Sequence, residues 1–200
     1  MLALSAYVRF VLMPISMAVF ALLLLWLCGK GEPASPPPFT LPEKGSIIAA
    51  GLLTVVLLRS LGGMAMNFSW KSGVWAFSFM LCVVLGKTFG GIVGDRLGMK
   101  RTAILSLSGA AMLFVFGDSS PVLGILAALL FNMTMPLTLH RAAQLFGEYK
   151  GTAFGLLTLG LFIGFLPSYT NFGISGGTAC ALLSLLSLLL LIPCLKKEDV

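Results

Sequence analysis

The sequence is poor in charged and polar side chains. Only 10% of its 200 residues are charged and one is histidine, whereas 58% are hydrophobic and the mean hydropathy is +1.02. Soluble domains usually have about a quarter of their residues charged. This composition excludes a soluble catalytic domain, and it also excludes a nucleic-acid-binding protein despite the net charge of +6. It predicts a protein whose main environment is the lipid bilayer.

Groups suited to metal binding or catalysis are also scarce. The four cysteines lie in or at the ends of apolar runs, without the spacing of a metal site or a disulfide framework: Cys28, Cys82, Cys180 and Cys194. The apolar runs contain no carboxylate pair, no histidine cluster and no Ser and His at a spacing that builds a catalytic site. We therefore expect neither an enzyme nor a bound metal or other cofactor.

The apolar runs divide into seven candidate spans of about 17 to 25 residues, near the number that crosses a bilayer core of about 30 Å as a helix. They cover residues 7–28, 46–66, 73–94, 101–117, 121–145, 151–169 and 175–194. The only long connection, 29–45, is rich in proline and predicts an extended linker. The expected protein is all-α and polytopic, with a transmembrane helix in 1–28, a cytoplasmic linker in 29–45 and a six-helix unit in 46–200.

The distribution of basic residues predicts the orientation of these spans, because cytoplasmic loops retain Lys and Arg during insertion. With the amino terminus outside, nine of the thirteen lie on the cytoplasmic side, two (Arg9 and Lys71) lie at the outer face, and two lie within spans. We therefore expect an integral protein of the cytoplasmic (inner) membrane, with its carboxyl terminus in the cytoplasm.

The most specific motif, G-x-x-x-D-R-x-G-x-K-R, connects the third and fourth spans. It consists of Gly91, Asp95, Arg96, Gly98, Lys100 and Arg101. The glycines permit a tight turn, Asp95 can accept hydrogen bonds from a neighbouring helix N-terminus, and the basic residues favour the cytoplasmic side. The motif resembles the signature loop of the major facilitator superfamily, which joins the second and third helices of a six-helix half. The alternative is an ordinary positively charged cytoplasmic loop.

The order of the spans extends this resemblance over nearly the whole chain. The six spans of 46–200 resemble the carboxyl-terminal half of a facilitator, and 7–28 resembles the last helix of the other half. The resemblance implies transport of a small solute by alternating access, with the motif steadying a cytoplasmic gate. It also implies a second transporter half, from another chain or a second copy. The alternatives are a non-transporting membrane subunit, a vestigial transporter fragment and a rhodopsin-type receptor, although no lysine lies in the seventh span to hold retinal.

Two charged residues are predicted near the middle of spans. Arg59 and Lys87 each lie within about 5 Å of the midplane, where a charge costs about 2.5 to 3.5 kcal/mol on insertion scales. The seven acidic residues all lie in loops, span ends or tails. We therefore expect both cations to line a cavity for an anionic small molecule. The alternatives are that they reach towards an interface or pair with an acid on a partner chain.

The fifth span contributes a third candidate substrate-binding residue, Asn132, within the polar segment that also contains Thr134, Pro136 and Thr138. Pro136 removes a helix hydrogen bond and permits a kink, and Asn132 shares its helix face. The alternative for this segment is interhelical packing. Small residues four apart predict further packing seams at Gly86, Gly90 and Gly94, at Gly151 and Gly155, and at Gly160 and Gly164.

Overall fold

The computed structural model describes residues 13–28, 45–170 and 175–195, and these ranges are helical with no strand. The chain divides into two units, residues 1–38 and 39–200. This division lies inside the predicted linker, whose residues 29–44 are outside the described ranges, as are the start of the first predicted span and the carboxyl-terminal tail. The first unit contains helix α1, Met13–Cys28.

The second unit contains seven α-helices in its described residues. They are α2 (Gly45–Ala65), α3 (Gly73–Leu97), α4 (Met99–Val115), α5 (Pro121–Asn132), α6 (Thr134–Phe146), α7 (Lys150–Phe165) and α8 (Gly177–Cys194). A 3-10 helix, Leu166–Thr170, follows α7. The helices are rich in Leu, Ala and Val. Breaks between consecutive helices occur where a glycine adopts a positive φ and where Pro121 begins a new helix.

Within residues 13–28, 45–170 and 175–195, five helical segments are long and apolar enough to cross a membrane. They are Gly45–Ala65, Gly73–Leu97, Pro121–Phe146, Lys150–Tyr169 and Gly177–Cys194. The third of these joins α5 to α6 through Met133 alone. The predicted count of seven spans is not confirmed, because the described part of α1 has 16 residues and α4 has 17. The observed helices fit an integral membrane protein.

Glycine sets the contact between α3 and the α5–α6 segment, which run parallel. A Cβ at Gly86 would meet the backbone carbonyl of Leu129, and one at Gly90 would meet the backbone of Met133. Gly94, one turn later, lies against Leu137. The two backbones therefore approach closely along the predicted seam, as small residues allow in membrane helices.

The other predicted glycine seams have different outcomes. On α7, a Cβ at Gly164 would lie 2.7 Å from the Leu57 carbonyl oxygen of α2, and Gly160 lies against Leu53 of the same helix. Gly151 and Gly155 have no neighbouring atom within 4 Å in the described chain, so no seam forms there. Only the carboxyl-terminal half of α7 packs closely through glycine.

Side chains from other segments bind both ends of α8. At its start, the backbone N–H of Gly177 donates to Asp118 Oδ2 at 2.8 Å. At its end, Arg141 Nε donates to the Cys194 carbonyl oxygen at 2.9 Å. Helix ends expose unpaired backbone groups, and opposite charge stabilises each end. These two contacts link the ends of α8 to the connection after α4 and to α6, while the body of α8 packs against α2 and α4.

Basic residues collect at one end of the second unit. Where α3 and α6 end and α4 and α7 begin, the described chain has Arg96, Lys100, Arg101, Arg141 and Lys150. At the opposite end, Lys71 Nζ lies 4.2 Å from the ring centre of Phe79 and donates to the Met66 carbonyl oxygen at 3.2 Å. Burial lowers the pKa of Lys71. The two ends of the helical unit thus differ in charge.

Candidate functional site

The α5–α6 segment is interrupted near its middle. Asn132 is the last residue of α5 and Thr134 is the first of α6. In a continuous helix, the N–H four residues after Asn132 donates to its carbonyl oxygen. That residue is Pro136, which has no N–H. The interruption therefore leaves the Asn132 carbonyl in need of another donor.

Arg59 of α2 supplies that donor. Its Nη2 lies 3.2 Å from the backbone oxygen of Asn132 and 3.2 Å from the Oδ1 of the same residue. Its Nη1 donates to Thr134 Oγ1 at 2.9 Å. One guanidinium group thus binds both sides of the helix interruption, since Asn132 and Thr134 flank Met133.

The bound side chains around Arg59 have a consistent donor and acceptor arrangement. Asn132 Nδ2 donates to the Ala128 carbonyl oxygen at 2.8 Å, which leaves its Oδ1 free to accept from Arg59. Thr134 Oγ1 donates to the Phe131 carbonyl oxygen at 2.9 Å and accepts from Arg59. We call Arg59, Asn132 and Thr134 the arginine cluster.

The charge of the arginine cluster is not neutralised within the described chain. Arg59 is only 8% exposed, and its hydrogen bonds all go to uncharged groups. Its guanidinium carbon lies 5.8 Å from the ring centre of Phe131, a weak favourable contact for a cation. No carboxylate of the described residues pairs with it. A desolvated charge without a counter-charge is costly, so this residue is energetically unusual within the described chain.

A cavity of about 70 Å³ adjoins Arg59 between α2, α6 and α7. Its other walls are formed by Val56, Met135, Thr138, Leu139, Phe154, Leu157, Thr158 and Leu161. The hydroxyl groups of Thr138 and Thr158 donate to carbonyl oxygens of their own helices, at 2.8 Å each. Arg59 is therefore the charged donor beside an otherwise largely apolar space. The space is large enough for water molecules or a small anion.

Lys87 does not join the arginine cluster. It lies on α3, next to the buried Gly86, and its side chain is exposed. No hydrogen bond or ion pair links it to another residue of the described ranges, and it does not line the cavity beside Arg59. The structure thus brings two of the three predicted substrate-binding residues together, Arg59 and Asn132, and places the third on an open helix face.

The predicted loop motif is a turn of one residue. Helix α3 continues through Asp95, Arg96 and Leu97, and α4 begins at Met99. Only Gly98 lies between them, with φ +86° and ψ 143°, a conformation that L side chains rarely adopt. Its carbonyl oxygen accepts from the backbone N–H and the hydroxyl of Thr102, at 3.1 and 3.0 Å. The motif therefore joins two helices almost without a loop.

The charged residues of the motif all point to the surface. Asp95, Arg96, Lys100 and Arg101 are exposed. Asp95 accepts no hydrogen bond from the residues that the structure describes, so the expected contact with a helix N-terminus is not formed there. Lys100 and Arg101 lie in the first turn of α4, an unfavourable place for cations beside the helix dipole.

A second cavity, of about 200 Å³, adjoins the motif. It is lined by Gly91, Gly94, Asp95, Met99, Pro136, Leu137 and His140. Pro136 thus lies beside this cavity. Because it has no N–H, it also leaves the Asn132 carbonyl without a helix donor, and Arg59 binds that carbonyl. His140 is exposed, and its Nε2 lies 2.8 Å from Gln144 Nε2. The α5–α6 segment therefore lines both the cavity beside Arg59 and the cavity beside the motif.

Sequence reasoning singled out Asn132 but not Thr134, which forms the shortest hydrogen bond to Arg59. The sequence did contain a signal, because Thr134 is a polar residue two positions before Pro136 and two after Asn132, whose carbonyl the proline leaves without a helix donor. For metal binding, the described ranges contain no group of three His, Cys, Asp or Glu side chains close enough to hold an ion.

The chain was also compared with known proteins. No protein-family model, curated protein or solved structure matches it. Its functional interpretation therefore depends on the arginine cluster, the helix interruption and the open face of α3.

Proposed function

We propose that this chain is one half of a major-facilitator-type transporter that moves a small anionic solute across a membrane by alternating access. The observation that carries the proposal is the buried guanidinium of Arg59, bound to uncharged groups at an interruption in a membrane-length helix. Buried charge and interrupted helices near mid-membrane are typical of substrate sites in secondary transporters.

The chemistry of Arg59 favours an anion. A guanidinium has five N–H donors, and its bonds to Asn132 and Thr134 involve only the Nη1 and Nη2 atoms. The Nε–H has no acceptor among the described residues. A carboxylate, phosphate or halide that reaches the guanidinium from the adjoining cavity would neutralise its charge. We assign Arg59 and Asn132 to substrate binding, whereas Lys87 lies on the exposed face of α3 and does not line this cavity.

The helix interruption provides a way to couple binding to movement. An anion that competes for Nη2 would release the Asn132 carbonyl, which Pro136 leaves without a helix donor. The α5–α6 segment is then free to change its bend relative to α2. In this mechanism, the glycine contacts with α3 transmit the change to the turn at Gly98, where Asp95 and Arg96 steady the gate.

The charge distribution supports an orientation. The end with Arg96, Lys100, Arg101, Arg141 and Lys150 is assigned to the cytoplasmic side of an inner membrane, and the amino terminus to the outside. Cysteines introduced one at a time at Ser119 and Glu148, in a chain whose four native cysteines are replaced, test this assignment with a membrane-impermeant thiol reagent. In intact cells, Ser119→Cys should react and Glu148→Cys should not, and the reverse pattern would overturn the orientation.

Flux through vesicles tests the transport function. The complex purified from its own membrane through a carboxyl-terminal tag is reconstituted and supplied with chloride, inorganic phosphate, sulfate or acetate. We expect uptake of at least one of these anions above that of protein-free vesicles. Arg59→Gln keeps amide donors for the Asn132 carbonyl but removes the charge, and it should lower that uptake at least tenfold.

The matched control is Lys150→Gln, which removes an exposed positive charge at the start of α7 and should leave uptake unchanged. Absence of uptake for every anion, or equal uptake by Arg59→Gln at equal reconstitution, would reject the proposal. The alternative is a non-transporting membrane subunit or vestigial fragment. It is favoured by the three hydrogen bonds of Arg59 to Asn132 and Thr134, because holding the helix interruption in place is also a structural role.

A further inference from the structure

The open side of α3 carries an exposed stripe beside its glycine face. Phe77, Met80 and Val84 are 68%, 66% and 52% exposed, and the stripe continues through Lys87 and the half-buried Gly91. Their spacing alternates between three and four residues. That spacing is typical of the contact positions in a left-handed helix pair, in which side chains of one helix fit between those of the other.

Lys87 is out of place in such a stripe if it faces lipid. It lies two residues past the middle of the 25-residue helix α3, about 3 Å from the centre and about 12 Å from the edge of the bilayer core. The Cα–Cβ bonds of a helix tilt towards its N-terminus, which directs this side chain back towards the midplane. A lysine side chain does not bridge about 12 Å to the headgroups from there.

The chain itself offers no acid to pair with Lys87. The described residues form no contact with its ammonium group, and the acidic residues of the sequence all lie outside the predicted spans. Residues 1–28, including α1, contain no acid. In a symmetric pair of two copies along this stripe, Lys87 would meet the Lys87 of the second copy, and like charges repel strongly in a low-dielectric environment.

We propose that the stripe of Phe77, Met80, Val84, Lys87 and Gly91 binds a transmembrane helix of a different protein, and that this helix carries a membrane-embedded carboxylate paired with Lys87. The exposed apolar side chains supply close packing against the partner helix. A single polar residue in such a seam selects register and partner. The inference rests on the membrane placement of α3 in the proposed function, and it does not require transport.

Photo-crosslinking in the native membrane tests the partner. A photoreactive residue replaces Val84 on the stripe or, as the control, Leu105, which is 62% exposed near the middle of α4. We expect Val84 to form an adduct with a polypeptide other than this chain at least tenfold more efficiently than Leu105. Adducts with a second copy alone, with lipid alone, or equal at the two positions would overturn the proposal.

Charge substitution tests the carboxylate. In the Val84 background, Lys87→Met should lower the adduct at least tenfold at equal membrane abundance, whereas Lys87→Arg should retain it. Lys87→Glu should recover the adduct when the partner's membrane-embedded Asp or Glu is changed to Lys. A crosslinked partner with no acidic residue in its span, or an adduct insensitive to Lys87→Met, would also overturn it. Crosslinking is measured without any solute, so a negative crosslinking result would not affect the flux result with Arg59→Gln. The two proposals can therefore fail independently.

Discussion

Arg59 donates a hydrogen bond to the backbone carbonyl of Asn132, the carbonyl that a proline four residues later leaves without its helix donor. A side chain of α2 thus replaces a main-chain N–H of the α5–α6 segment. The contact binds two helices through a group that a regular helix would have satisfied internally. It also places a positive charge beside the interruption of the segment at Met133.

A double-mutant cycle between Arg59 and Pro136 measures this relationship. Arg59→Met leaves the Asn132 carbonyl unpaired and should lower the free energy of unfolding by about 1 to 3 kcal/mol. Pro136→Ala restores the missing N–H, so the penalty of Arg59→Met should be about 1 kcal/mol smaller in that background. Unfolding in detergent micelles gives the four values. Additive effects would show that Arg59 does not serve this carbonyl.

The close contact of α3 with the helix interruption predicts a strong effect of Gly90→Ala. The added Cβ would meet the Met133 backbone, so the free energy of unfolding should fall by about 1 to 3 kcal/mol. Gly63→Ala is the matched control in α2, because Gly63 has no neighbour within 4 Å. There the better helix propensity of alanine should leave stability unchanged or raise it by up to about 1 kcal/mol. Equal effects at the two positions would contradict the packing.

At Gly98, a substitution should destabilise the fold through backbone strain and not through a clash with a neighbouring residue. No atom lies within 4 Å of a Cβ at this position, yet its φ of +86° is strained for any L side chain. Gly98→Ala should therefore reduce the free energy of unfolding by about 1 to 3 kcal/mol. Gly155→Ala, in an open helical position of α7, should not reduce it. If Gly98→Ala is equally well tolerated, the turn has another conformation.

The contact between Asp118 and Gly177 predicts a capping effect at the start of α8. Asp118→Ala removes the acceptor of the Gly177 N–H and should cost about 1 kcal/mol of stability. Asp118→Asn retains an acceptor oxygen and should cost less. Thermal unfolding of both variants, beside Glu148→Ala as an exposed acidic control, gives the comparison. A loss with Asp118→Asn as large as that with Asp118→Ala would point to charge and not to the hydrogen bond.

Much of the fold follows from local sequence. Apolar runs of near-membrane length predict the helices, and the observed helices α2, α3 and α8 begin and end within a few residues of the expected bounds. The glycine spacing on α3 predicts a close contact, because small residues permit backbone approach whichever helix is the partner. The sequence also identifies Arg59 as an unusual residue, because it is a charged residue within an apolar span that contains no acidic residue to pair with it.

The sequence by itself determined the helical class, the apolar surface and the residues whose chemistry is costly within a membrane, since these depend on composition and on periods of a few residues. Only the tertiary structure decided that Arg59 serves the interruption beside Asn132 while Lys87 lies on an open face. It also showed that Asp95 and Arg96 lie in a helix that ends at Leu97. The contacts of a side chain depend on which helix lies beside it. That neighbouring helix is distant in sequence, so local sequence patterns do not identify it.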